Sequence, residues 1–226
     1  FPHERFHYLI ANPPYGKNWD MDKKFVTAEH AEGERGRFAA GLPRSSDGQM
    51  LFMLSLLSKM RSVSKGGSRV AIVMNGSPLF TGDANGGESE IRRYIFENDL
   101  LETLVAVPEQ IFYNTGIATY IWILTNRKPE HRKGKVQLID ASGEGFWKPM
   151  RKSLGDKRRE MDEGHISKVL EAYHAFEEDT DVSKIYSNEY FGYRKVTVDR
   201  PLQINLQTSA ERMAQLELEK QFTKLD

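Results

Sequence analysis

Asn12-Pro13-Pro14-Tyr15 is the stretch whose residue types and order could do chemistry. An exocyclic amine on a nucleobase is a poor nucleophile, because its lone pair is delocalised into the ring. Two acceptors facing its two hydrogens favour a pyramidal nitrogen whose lone pair leaves the ring plane. Those hydrogen bonds strengthen in the transition state. The Asn12 side-chain oxygen is one such acceptor, and the Pro13 backbone carbonyl is the other. Two prolines with fixed φ and no N–H hold that carbonyl outward, without a ladder partner. Tyr15 offers a flat face on which an extruded base stacks, worth roughly 1–3 kcal/mol. No metal and no covalent nucleophile is needed. The same residues read equally well as a Pro-Pro turn closing a strand, with Asn12 satisfying loop backbone and Tyr15 filling core.

What must position this turn is a strand. Residues 8–11 read as a buried strand end, and the carboxyl end of a strand in an open α/β sheet is where ligands bind. Residues 17–48 read as a long polar loop rich in glycine. A helix is predicted over 50–63, with Asp47 as its cap, Ser46 and Gln49 at capping-box spacing, and a stop at Lys65-Gly66-Gly67. Strands are predicted at 69–74, 104–107, 118–125 and 136–139, with a helix over 88–98. Strands alternating with helical crossovers imply parallel pairing in a doubly wound sheet. The last two strands, about ten residues apart with no helical pattern between them, fit antiparallel pairing.

The texture changes near residue 145. Residues 148–159 carry six basic side chains and one acid. An amphipathic helix is predicted over 166–176, then mixed, extended chain over 184–206. A final helix carries Met213, Leu216 and Leu218, with Thr208 and Glu211 at capping-box spacing. This divides the chain into residues 1–145, a sheet domain, and residues 146–226, a mostly helical tail suited to contact with a partner.

Composition removes other classes. The 226 residues contain no cysteine, which excludes a disulfide scaffold, a thiolate cluster and a catalytic thiol. Lysine plus arginine and aspartate plus glutamate both number 32, so no global basic excess argues for a nucleic-acid partner, and such a case must rest on local charge. The longest apolar run, 117–124, is too short to span a bilayer, so no membrane partner is expected. The six histidines show no ligand spacing, so no metal is expected. The loop with Gly82, Gly86 and Gly87 lacks the lysine and spacing of a phosphate loop and reads as solvated. Asn75-Gly76-Ser77-Pro78, at a second strand end, can wall the same cleft as Asn12. The basic stretches 127–135 and 148–159 could touch phosphates, although solvated faces are commoner.

Taken together, these stretches resemble a known family. Asn12-Pro13-Pro14-Tyr15 resembles the catalytic motif of amino methyltransferases that use S-adenosylmethionine. Asp47 with Phe52, and then Gly66-Gly67-Ser68-Arg69-Val70-Ala71-Ile72-Val73, are similar to the modification (M) subunit of type I restriction-modification systems. So are Ile91-Arg92-Arg93, Val107-Pro108, Phe112, Thr115-Gly116-Ile117-Ala118-Thr119, Ile121-Trp122-Ile123-Leu124 and the segment from Tyr193 to Leu202. The resemblance implies an adenine-N6 DNA methyltransferase of cytoplasmic location that works with a specificity subunit and a restriction subunit. It implies that Asn12 and Pro13 hold the target amine, Pro14 shapes the turn and Tyr15 stacks on the adenine.

One departure matters. The family places its glycine-rich cofactor loop and acidic ribose partner ahead of the catalytic motif, and only eleven residues precede Asn12 here. The expected fold is therefore the second half of a Rossmann-like methyltransferase sheet with a helical tail. It should bind S-adenosylmethionine poorly or not at all, and no cofactor-binding residue is assigned. The strand at 8–11 should be an uncovered edge that invites pairing with another copy. Two other readings are an assembly module without chemistry that binds the specificity subunit, and a methyltransferase acting on protein glutamine or RNA.

Overall fold

The computed structural model describes residues 3–113, 115–178, 180–201 and 209–218. In chain order the elements are β1 (Tyr8–Ala11), α1 (Lys23–Ala31), α2 (Gln49–Leu57), β2 (Arg69–Asn75), α3 (Ser77–Phe80), α4 (Gly87–Glu97), β3 (Leu101–Val107), β4 (Thr119–Thr125), β5 (Lys135–Asp140), β6 (Lys148–Leu154), β7 (Lys157–Glu160), α5 (Glu163–Ala175), β8 (Ser183–Ser187) and α6 (Ala210–Glu217).

Six strands form one sheet in the order β1-β2-β4-β3-β5-β8, and β6 pairs only with β7. β1 runs parallel to β2, and β3 runs parallel to β5. β4 is wedged antiparallel between β2 and β3. The expected antiparallel step is thus present at β4, but not between β4 and β5, which are not neighbours. Among the described residues of the 108–118 connection there is no helix to carry the chain across the sheet, and the next strand returns beside β3. β5 then takes the free side of β3.

Helices α2 and α4 cover one face, and α5 covers the other at the β3 and β5 end. β2 alternates, with Val70, Ile72 and Met74 fully buried against Met50, Met53 and Leu54 of α2 and Ile91 and Ile95 of α4. Trp122 and Leu124 of β4 join that cluster. On the opposite face Val105, Val107 and Ile139 pack with Val169, Ala172 and Tyr173 of α5. β1 pairs on one side only, and its Tyr8 and Ile10 are 78% and 85% exposed. Among the described residues no helix is long and apolar enough to cross a membrane.

Several expectations are corrected. The 17–48 stretch is not all loop, because it contains α1. α2 ends at Leu57 instead of 63. Its N-cap position is Gly48, and the Ser46–Gln49 capping box does not form. The boundary near 145 is not where the chain divides. The first compact unit runs over Phe1–Arg194 and the second over Lys195–Asp226. Residues 146–194 are not mostly helical either: β8 completes the main sheet beside β5, and β6 and β7 form a hairpin. The sequence hid this because the hairpin strands alternate without an apolar face. In the second unit α6 is described over Ala210–Glu217, with Ser209 at its N-cap position; Thr208 lies outside the described residues.

Candidate active site

Parallel β1, β2 and β3 all point their carboxyl ends to one edge of the sheet. That edge carries the 12–15 turn, the 75–78 turn and the 108–118 connection. Register places Ala11 opposite Ile72, so the turn leaves the sheet beside the last residues of β2.

Pro13 is buried, Asn12 and Pro14 are exposed, and Tyr15 is half-buried. The Tyr15 hydroxyl donates a 2.9 Å hydrogen bond to the Asn12 side-chain oxygen. Asn12 is therefore engaged by its own turn's aromatic residue and not by loop backbone. An amide oxygen has two lone pairs, so one remains for a second donor. Burial pushes the Tyr15 phenol up to about 12, which keeps it a donor across neutral pH. The ring of Phe112 meets Tyr15 edge-on, with centroids 6.4 Å apart and planes at 76°. Two elements separated by almost half the chain thus form an aromatic corner beside an amide.

A buried polar cluster ties the start of α2 to the end of β2. Gln49 is fully buried and its Nε2 donates to both oxygens of Asp47 and to Asn75 Oδ1. Its Oε1 accepts from the Asn75 backbone N–H, and Asn75 Oδ1 also accepts from the Ser77 N–H. The adjacent chain clamps the segment that follows the tetrapeptide. Gly48 N–H donates to the Lys17 carbonyl, Trp19 N–H to the Ser45 carbonyl, and Trp19 Nε1 to the Arg44 carbonyl. Asp47 was expected as a helix cap. It is not the N-cap residue, but its Oδ1 accepts the first-turn Gln49 backbone N–H at 3.2 Å, and its carboxylate also holds the Gln49 side chain.

The other sequence candidates separate cleanly. Asn75 lies at the site edge, through the cluster just described. The 82–87 loop holds no phosphate cradle. A Cβ on Gly87 would sit 1.7 Å from the Leu42 carbonyl oxygen, so chain 41–44 closes over the start of α4. The 127–135 basic stretch lies at the opposite edge, beyond Thr125, and is used internally. Lys128 is buried on Asp99 at 2.5 Å, and Arg132 is buried on Gln137 and the Tyr173 carbonyl. A cavity of about 1170 Å³ lined by Phe96, Leu104, Trp122 and Phe191 lies beneath α4, away from the tetrapeptide.

A model of the N-6 DNA Methylase family matches residues 1–205. The chain belongs to that family. Among curated relatives of this methylase chain, the type I restriction enzyme MjaIX methylase subunit of Methanocaldococcus jannaschii is 30% identical over 86% of the chain and 32% of that relative. The type I restriction enzyme HindI methylase subunit of Haemophilus influenzae is 28% identical over 77% of the chain and 34% of the relative. Among solved structures, the type I restriction-modification methyltransferase subunit of Streptococcus thermophilus superposes with a TM-score of 0.67 at 26% identity. That match covers 83% of this chain and 35% of the other. The chain thus spans about a third of the length of the relatives it matches, and its sheet is the methyltransferase-like part they share.

Methylases of this kind imply S-adenosylmethionine as methyl donor. Asp47 is the buried carboxylate here, and both its oxygens are taken by Gln49. The Gly86-Gly87 turn is closed by the Leu42 carbonyl. Among the described residues at this edge, neither the Asp47 carboxylate nor the Gly86-Gly87 turn is free to hold that cofactor.

Proposed function

We propose that this chain forms the acceptor side of the active site in a DNA adenine-N6 methyltransferase, the modification subunit of a type I restriction-modification system. Its partners are DNA, a specificity subunit and a restriction subunit, and its methyl donor is S-adenosylmethionine. The observation that carries this reading is the grouping of the Asn12 amide, Pro13, Tyr15 and the Phe112 ring at the carboxyl edge of the sheet in an N-6 DNA Methylase chain.

In this reading the free lone pair of Asn12 Oδ1 and the Pro13 carbonyl accept the two hydrogens of the adenine amine. Pro14 fixes the turn. The half-buried Tyr15 ring supports the extruded base, with the Phe112 edge closing one side. The test is Asn12→Ala in the full-length subunit assembled with its specificity subunit, followed by transfer of a labelled methyl group to duplex DNA. Transfer should be lost while cofactor binding persists. Methylation at the normal rate would remove Asn12 from the mechanism.

A further inference from the structure

The fold places the basic stretch 148–159 next to the loop that carries the Phe112 side of the aromatic corner. Its hairpin, β6–β7, is sewn to the loop that carries Phe112. Asp156 N–H donates to the Tyr113 carbonyl at 2.9 Å, and the Arg158 and Arg159 N–H groups both donate to the Gln110 carbonyl, at 3.0 and 3.2 Å. Gln110 itself sits at a φ of 61°, a left-handed conformation rare outside glycine, and these two bonds secure it. Gly155 turns the hairpin at a φ of 60°, and a Cβ there would lie 2.5 Å from the Tyr113 carbonyl oxygen. One cation braces the contact through its side chain, Lys157 over the Tyr113 ring at 5.3 Å, while Arg159 lies over Trp147 at the hairpin's own base at 3.9 Å.

The remaining cations face outward. Lys148 is paired with Glu160 and Asp162. Arg151, Lys152 and Arg158 are exposed, and among the described residues none of them has an ion-pair partner. A chain of zero net charge thus concentrates three unneutralised cations on one rigid hairpin, one loop away from Tyr15.

We infer that the β6–β7 hairpin is a phosphate-binding arm that grips the DNA backbone flanking the extruded base, through Arg151, Lys152 and Arg158. The inference rests on the function proposed above. Duplex DNA carries a charge about every 1.7 Å, so phosphates must pass over whatever borders the site of base extrusion. Contacts of this kind fix position and carry no sequence information. That suits a subunit whose sequence reading is expected to belong to a separate protein.

The test uses the assembled methyltransferase, full-length modification subunit with specificity subunit, carrying Arg151→Gln, Lys152→Gln and Arg158→Gln together. Affinity for a cognate duplex is measured between about 50 and 200 mM salt. The slope of log affinity against log salt should flatten by roughly two to three, since each phosphate contact contributes about 0.9. A second variant with Arg151→Lys and Arg158→Lys keeps the charge and should keep the slope, which separates charge loss from misfolding. An unchanged slope in the glutamine variant overturns the inference. So does loss of the specificity subunit from the assembly with no change in slope, which would make the hairpin a protein contact. The Asn12→Ala assembly should bind DNA with the wild-type slope. Failure of the wild-type assembly to methylate adenine would instead remove the functional reading, independently of the slopes.

Discussion

The Tyr15 hydroxyl hydrogen-bonds the Asn12 side-chain oxygen at 2.9 Å, so the proposed stacking residue also orients the proposed amine acceptor. The ring and the hydroxyl then have separable effects. Tyr15→Phe keeps the ring and its edge contact with Phe112, and should lower the methylation rate less than tenfold. Tyr15→Ala removes the stacking platform, worth roughly 1–3 kcal/mol, and should cost about 5- to 150-fold. Single-turnover methylation of duplex DNA by the full-length assembly distinguishes them. Equal losses in the two variants would assign the whole effect to the hydroxyl.

Burial raises the Tyr15 phenol to about 12, which gives an alkaline signature. The unfolded chain ionises this tyrosine near its ordinary value of 10, while the fold resists ionisation up to about 12. Its contribution to stability is therefore complete below pH 10 and fades as pH rises toward 12. Tyr15→Phe should lack that component. Thermal unfolding of both proteins across this window, compared as a difference, is the measurement.

Gln49 is the knot that ties Asp47 to Asn75. Gln49→Leu would leave a buried carboxylate and the Asn75 side-chain oxygen short of their donor. It should cost at least about 3 kcal/mol in urea unfolding. Gln49→Glu replaces the donor with a like charge against the Asp47 carboxylate and should destabilise more than the leucine change. Equal midpoint shifts in the two variants would argue that packing, and not the hydrogen bonds, holds this cluster.

The exposed flank of β1 predicts self-association of the 226-residue chain, because Tyr8 and Ile10 stand on a strand paired on one side only. Light scattering should give a mass above one chain, and Ile10→Lys should restore the monomer. A monomeric wild-type chain would show that this edge is inert.

Gly87→Ala probes how chain 41–44 seals α4. A methyl 1.7 Å from the Leu42 carbonyl oxygen cannot be accommodated without moving backbone. A loss of about 1–3 kcal/mol, or roughly 2–12 °C in Tm, is expected by calorimetry.

Much of the sheet could be read from the chain, because β2, β3, β4 and β5 are β-branched runs punctuated by Asn75-Gly76, Pro108 and the polar 126–134 stretch. Their order in space was not readable: where β4 inserts depends on the 108–118 connection lacking a helix, and pairing partners come from long-range packing. The tetrapeptide was visible as rare spacing at a strand end, and Phe112 only through family likeness, since nothing local says that its ring reaches Tyr15. The cluster around Gln49 looked like a helix cap because Ser46, Asp47 and Gln49 match that spacing. The hairpin had one legible signal, Gly155-Asp156 between two polar runs, which is a two-residue turn dipeptide. Without apolar alternation the signal was lost among the charges.

The wedged position of β4 also sets a timetable. Tyr15 and Phe112 meet across 97 positions of sequence, and β1 and β3 are joined in one sheet through β2 and β4. At roughly 5–20 residues per second of synthesis, the amide half of the corner would be made about 5–20 seconds before its aromatic wall. Until Thr125 emerges, β2 has no neighbour on that side. The nascent chain must keep Leu9, Val70 and Ile72 from other partners during that interval, so the moment of greatest exposure to misassembly comes just before the site first exists.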